Sequence, residues 1–292
     1  MKEVFMVNKT HIVQARQAEI PESGARPLKK NARLPFTRHI FIDRKSLPEA
    51  KVYIALHHVT KSLGAVRDYQ VPHYHDVDEF YFFIGDEPDM GGLEGRIKFE
   101  GKSHKIASPA TVYIPAGLVH QYKVSKGKGK VVILYRGAEY GHVPAEPDLE
   151  RGEKEADRFK KLIVIPDIRP SSEIRYHHDT APGKRHVFVG NNMLPEAGIY
   201  AIVRNVLDVK TTQPRYVDLH AHNCPSYFLF IGNRPNLSGL KAKVVIGGKE
   251  TLVESPAAAF VPSGIKHYPQ IVGGSGKFFS IVPKGKYDES LI

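Results

Sequence analysis

One cysteine, Cys224, is all the thiol this 292-residue chain carries, so no disulfide can close within it. A reducing compartment is the simpler expectation. Long apolar runs are missing too: none approaches the roughly 18 residues that span a bilayer. The opening Met1-Lys2-Glu3-Val4-Phe5 is too polar for a secretory signal. The cytoplasm is therefore the expected location. Helical periodicity is absent from most of the chain, which argues against an all-α fold. Disorder is excluded by composition, since 41% of residues are hydrophobic. The length allows one large core or two domains of about 150 residues each.

Basic charge is plentiful, with 42 Lys and Arg against 31 Asp and Glu and a net charge of +11. Such a balance raises the question of nucleic acid. The basic residues are scattered, however, and acidic ones are mixed among them. The densest run, Lys126-Gly127-Lys128-Gly129-Lys130, reads as a hairpin loop between Tyr122–Val124 and Val131–Tyr135. A solvated surface explains it. A small molecule is the expected partner, and neither nucleic acid nor a membrane is. Homo-oligomer formation stays open.

Comparison of the sequence with itself gives the largest result. An offset of 147 positions carries His73-Tyr74-His75 onto His220-Ala221-His222, and Pro115 through His120 onto Pro262 through His267. The same register aligns Arg38-His39-Ile40-Phe41-Ile42 with Arg185-His186-Val187-Phe188-Val189. It also aligns Leu47-Pro48-Glu49-Ala50 with Leu194-Pro195-Glu196-Ala197, Tyr53 with Tyr200, and Phe83-Ile84-Gly85 with Phe230-Ile231-Gly232. Two copies of one fold follow, with cores near 33–140 and 180–287 and a division into 1–145 and 146–292. Each copy reads as all-β, because short runs of Val, Ile, Tyr and Phe alternate with Gly, Pro, Asn and Asp turns. Predicted strands include Lys51–Val59, Glu79–Ile84, Ala110–Ile114 and Lys130–Tyr135. Phe80 through Ile84 is apolar on both faces, as inside a sandwich or barrel. The one helix expected is Asp148–Leu162, with Asp148 as cap. The first thirty residues read as an outer strand and a loop ending in Lys29-Lys30-Asn31.

The chemistry sits in His73-Tyr74-His75-Asp76-Val77-Asp78-Glu79, answered by Pro115-Ala116-Gly117-Leu118-Val119-His120. In an extended strand His73 and His75 point the same way, and Glu79 keeps that parity. His120 follows a Pro-x-Gly turn, where Gly supplies backbone freedom and Pro fixes the approach. Three imidazoles and a carboxylate can converge there on Fe, Mn, Ni, Zn or Cu.

An H-x-H-x(3)-E followed by P-x-G-x-x-H, in a small all-β unit and repeated in tandem, resembles the cupin superfamily and, in duplicate, a bicupin. The resemblance covers most of both halves. It implies two double-stranded β-helix (jelly-roll) barrels, each with a divalent transition metal in its mouth. The second site, His220, His222 and His267, departs from the pattern, because Ser226 stands where Glu79 does. Three readings remain open: a three-His metal site, a degenerate structural copy, or a thiolate from Cys224 as the missing ligand.

Catalytic candidates are Tyr53 and one of His57 and His58; His58 is a proton shuttle if it faces inward. Arg38 and Arg185 can hold an anionic substrate or simply build a strand. Open metal positions suit dioxygenation, decarboxylation or enediol isomerisation. A metal-dependent dioxygenase or decarboxylase acting on a small oxygen-rich or acidic compound is the leading expectation. The alternatives are a sugar or keto-acid isomerase and a non-catalytic binding or storage bicupin. Similar bicupins of the oxalate decarboxylase type keep an Arg three residues before the His pair; Gln70 and Val217 stand there instead, which disfavours that subtype.

Overall fold

The computed structural model describes residues 11–18, 34–61, 68–210 and 214–292. The predicted loop ending in Lys29-Lys30-Asn31 lies outside them. Each repeat folds into an antiparallel barrel of two facing layers. In the first, a seven-stranded layer runs in the order Ile163–Val164, Ala110–Ile114, Glu79–Gly85, Gly129–Tyr135, Tyr53–Val59, Phe36–Ile42 and Arg16–Ala18. A five-stranded layer faces it: Val143–Pro144, His73–Tyr74, His120–Gly127, Leu93–Phe99 and Lys102–Ala107.

The central strands Tyr53–Val59, Glu79–Gly85 and Gly129–Tyr135 are buried along their whole length. Strand parity explains why. Tyr81 and Phe83 face the barrel interior, where both rings meet Tyr122. Phe82 faces the other way, into the second barrel, with its ring 6.1 Å from that of Phe188 and 5.9 Å from that of Phe279. Thr111 Oγ1 donates to the Phe188 carbonyl across the same seam at 2.8 Å. Apolar character on both faces is thus required by a strand that serves one core inward and another outward.

The second barrel repeats the plan with one difference. Where the first has two strands broken at Lys128, the second has a single strand, His267–Val282, that serves both layers. Gly273 through Lys277, which stand at the 147-residue offset from the Lys126–Lys130 loop, are therefore a bend in a continuous strand. Gly274 supplies the left-handed step (φ 81°), and the pairing register slips beside it.

The barrels exchange arms. Ile12–Gln14 pairs with Ala257–Val261 of the second barrel, and Arg16–Ala18 returns to Phe36–Ile42 of the first. Reciprocally, Ile163–Val164 pairs with Ala110–Ile114 of the first barrel, and Asp167–Arg169 crosses to Arg185–Val189 of the second. Each arm covers a strand edge that would otherwise offer unpaired backbone groups to solvent.

The predicted helix is present but divided. Leu149–Lys154 and Ala156–Lys160 are separated at Glu155, and Asp148 caps the first by accepting from the Arg151 N–H at 2.9 Å. Phe159 buries its ring against Phe99, 5.6 Å away, so the segment packs on the first barrel. Among the described residues no helix is long and apolar enough to cross a membrane.

Candidate metal centres

One turn and the His73–His75 segment build the first centre. Pro115-Ala116-Gly117 reverses the chain with Gly117 at φ 78°, and the Gly117 N–H donates to the His75 carbonyl at 2.8 Å. That bond ties the turn to the His73–His75 segment, while His120 pairs directly with His73. The same construction recurs in the second barrel, with Gly264 at φ 80°, its N–H on the His222 carbonyl at 2.7 Å, and His220 bridged to His267.

The rings are fixed from behind. His73 Nδ1 donates to the Val71 carbonyl and His120 Nδ1 to the Leu118 carbonyl, each at 2.9 Å, and His75 Nδ1 donates to the Gly141 carbonyl. This leaves each Nε2 as a lone-pair donor aimed inward. The ligand atoms of His73, His75 and His120 lie within 4.8 Å of one another, all buried. Glu79 Oε2 is 3.0 Å from His120 Nε2 and 3.5 Å from His75 Nε2. His73 Nε2, His120 Nε2 and both Glu79 oxygens have no hydrogen-bond partner despite complete burial. Buried polar atoms without partners are costly, and four aimed at one point are what a cation would satisfy. Three imidazoles and a carboxylate fit a divalent transition metal.

Electrostatics agree. Burial lowers the His73 and His75 imidazoles from their ordinary range, which favours the neutral form that ligates. Burial alone pushes the Glu79 carboxyl up; its closeness to His75 and His120 sets the opposite, net downward direction.

The second centre keeps the geometry without the carboxylate. His220, His222 and His267 again place their ligand atoms within 4.8 Å of one another. Their Nδ1 atoms are held by the Asp218 carbonyl, the Ser290 hydroxyl and the Ile265 carbonyl at 2.7, 2.7 and 2.9 Å. Burial lowers His222 to about 3 and His267 to about 4. His267 Nε2 and Ser226 Oγ are buried without partners. Cys224 does not join the group, and burial pushes its thiol up to about 11, the opposite of what a thiolate ligand needs.

Of the catalytic candidates, Tyr53 lies inside the first barrel, its hydroxyl accepting from Arg38 Nη2 at 2.6 Å. His58 does not reach the site. Alternation sends His57 inward, where Nδ1 meets the Tyr122 hydroxyl, and His58 outward toward His39, Lys130 and Asp86. Arg38 and Arg185 both point inward. Gln70 accepts from the Tyr122 N–H at 2.8 Å, and Val217 packs with Tyr216 and Ala181 in the wall of the cavity that holds His220, His222 and His267.

Several site residues escaped sequence reading. Tyr135 places its hydroxyl 3.2 Å from His75 Nε2, and in the second barrel Tyr287 places its hydroxyl 3.0 Å from His220 Nε2. Tyr140 is the repeat partner of Tyr287, and its ring lies 5.6 Å from His75 and 5.2 Å from the Arg38 guanidinium carbon. The 147-residue offset could have found this pair. His177, which lies outside the repeat, comes within 5.4 Å of the His220 ring, a contact no sequence signal gives.

The tandem arrangement of the two barrels matches solved structures. Oxalate decarboxylase from Lactobacillus farciminis, solved as a formate complex, aligns over 94% of this chain and 89% of its own, with TM-score 0.58 and 16% identity. An arginine-to-alanine variant of Bacillus subtilis oxalate decarboxylase aligns over 89% and 76%, with TM-score 0.57 and 14% identity. The Bacillus subtilis enzyme at pH 4.6 aligns over 92% and 78%, with TM-score 0.57 and 13% identity. No protein-family model and no curated protein sequence matches the chain. The fold is thus that of a bicupin, with a three-histidine group in each barrel able to hold a divalent metal.

Proposed function

We propose that the protein is a metal-dependent enzyme of decarboxylase or dioxygenase type acting on a small acidic or oxygen-rich compound, with its chemistry in the first barrel. The observation that carries this reading is the set of four inward, fully buried ligand atoms without partners. His73, His75, Glu79 and His120 would hold the metal, which supplies a Lewis acid that chelates and polarises a carboxylate or enediol.

The chain's own residues do the rest. Glu79 supplies the one anionic ligand and lowers the centre's charge. The backbone carbonyls behind His73, His75 and His120 fix the tautomer that presents Nε2. Arg38 is buried, donates to Tyr53, and keeps Nε without a partner. It is placed to receive the charged end of a substrate, a role its pairing with a phenol rather than a carboxylate leaves open. Tyr53, Tyr135 and Tyr140 wall the pocket and exclude bulk water, with mutual ring contacts of 5.0 to 5.9 Å. Tyr135 O–H can hold a proton 3.2 Å from His75 Nε2. The decarboxylase reading draws support from the likeness to oxalate decarboxylases; the acid need not be oxalate, because the anion-binding arginine stands on another strand. We further propose a cytoplasmic location and that residues 1–145 and 146–292 are the two units.

Elemental analysis with and without His73→Ala plus His75→Ala tests the site. We expect metal in the native protein, a loss of one equivalent per chain in the variant, and loss of CO2 release or oxygen uptake with small keto and dicarboxylic acids. Metal content untouched by the double substitution would overturn the assignment.

A further inference from the structure

Among the described residues, no carboxylate joins His220, His222 and His267. Ser226 is shorter than the glutamate it replaces and does not line their cavity. Tyr287 does line it, buried, with its ring 5.1 Å from that of His222 and steeply inclined to it. Its hydroxyl oxygen is 3.0 Å from His220 Nε2. Two ligands that meet one divalent ion at right angles, each about 2.1 Å from it, stand about 3 Å apart. Glu79 Oε2 keeps the same 3.0 Å from His120 Nε2 in the first barrel. Ser290 Oγ donates to the Tyr287 carbonyl and accepts from His222 Nδ1, which locks the turn carrying Tyr287 to the triad.

One proton and two acceptors fix how that oxygen is presented. His220 Nε2 faces the Tyr287 hydroxyl at 3.0 Å and His177 Nε2 faces it at 3.5 Å. Both nitrogens are lone pairs, because His220 Nδ1 donates to the Asp218 carbonyl at 2.7 Å and His177 Nδ1 to the Arg175 carbonyl at 2.9 Å. Once His220 Nε2 serves a metal it cannot also accept the hydroxyl proton, and His177 is the acceptor that remains. A proton turned toward His177 leaves an oxygen lone pair for the metal side. In the first barrel Tyr135 stands 3.2 Å from His75 Nε2, but there Glu79 both takes the hydroxyl's hydrogen bond and supplies the oxygen ligand. The repeat partner of Tyr135 is Val282, so the second barrel builds its tyrosine contact from another position.

We propose that Tyr287 is the fourth protein ligand of the second centre, its hydroxyl oxygen standing in for the missing glutamate, and that His177 is the positioning residue that takes its hydrogen bond. This inference rests on the metal reading for the second triad. His177 belongs to the arm between the repeats, which the backbone seats on the barrel: the His178 N–H donates to the Tyr216 carbonyl at 2.9 Å, and the Asp218 N–H to the Tyr176 carbonyl at 2.7 Å. Seating of the arm and metal binding in the second barrel are therefore coupled.

The test uses full-length protein carrying His73→Ala plus His75→Ala, so that the second centre alone can load. An iron(III)–tyrosine bond gives an intense visible charge-transfer band that imidazole ligands do not. Fe(III)-loaded protein should show that band, and Tyr287→Phe should abolish it while iron stays bound. Co(II) affinity should fall about tenfold or more in Tyr287→Phe and in His177→Ala, the usual cost of losing a group that supports a metal site. His177→Gln, whose amide oxygen still accepts a hydrogen bond, should recover most of it. If the double variant misfolds, Tyr287→Phe in the otherwise native chain gives the same contrast, with Tyr135→Phe reporting on the first centre. A band and an affinity that survive Tyr287→Phe would overturn the proposal, and an affinity untouched by His177→Ala would overturn the role given to the arm. Failure of the metal reading looks different: neither Fe(III) nor Co(II) would bind, His220→Ala would change nothing, and the ligand assignment would fall with it.

Discussion

Arg38 and Arg185 show how one residue type in one strand position acquires two roles. Both are buried and both donate to a tyrosine hydroxyl, at 2.6 and 2.7 Å. Arg185 is then neutralised by Glu173, whereas Arg38 has no carboxylate partner among the described residues and an unpaired Nε. A charge-assisted hydrogen bond contributes about 1.5–3 kcal/mol, or roughly 10- to 100-fold in binding. Arg38→Gln should therefore lower kcat/KM for an acidic substrate by that factor with metal content unchanged, whereas a neutral diol should lose little. Steady-state kinetics on the two substrate types, alongside elemental analysis, checks this. Equal losses for both would reduce Arg38 to a packing residue.

At the scale of elements, the helix after the first barrel braces the metal turn. Glu100, buried and with φ 45°, accepts from the Asp148 N–H at 2.9 Å, from Arg151 Nη1 at 3.2 Å and from the Val119 N–H at 3.4 Å. Val119 immediately precedes His120, so the Glu100 carboxylate links the helix cap to the residue next to a metal ligand. The close approach depends on Gly152, since a Cβ there would fall 2.2 Å from the Glu100 carbonyl oxygen. Gly152→Ala should cost about 1–3 kcal/mol, as other forced overpacking does. It should also weaken metal retention in the first barrel more than in the second. Thermal melts with and without metal read both effects, and an unchanged Tm would show that the helix can shift freely.

For the whole molecule, the exchanged arms make each barrel complete only in the presence of the other's leading segment, and the buried histidines make that assembly acid-sensitive. Burial holds His222 and His177 at about 3 and His58 and His267 at about 4 in the folded chain. Unfolded histidine titrates near 6.5. Between these values the unfolded chain binds protons that the folded chain refuses, so stability rises with pH through the window and is lost as pH falls below about 6.5. Each histidine contributes about 1.4 kcal/mol per pH unit. The Tm of metal-stripped protein should fall steeply from pH 6.5 to 4.5, and bound metal should raise it at every pH by stabilising the folded state alone. A flat profile would mean these rings are protonated in the fold.

The sequence by itself determined the duplication, the strand periodicity and both histidine triads, because these depend on local spacing: parity sets which side chains share a face, and Pro-x-Gly sets where the chain turns. It also exposed Ser226 as the departure in the second barrel. Only the tertiary structure decided which of His57 and His58 faces inward, since adjacent strand residues differ solely by which face meets a core. It likewise revealed Glu173 on Arg185 and His177 beside His220, contacts made by an arm outside the repeat register. The exchange of those arms depends on which strand edges lie open after the barrels close, and that is a property of the folded pair.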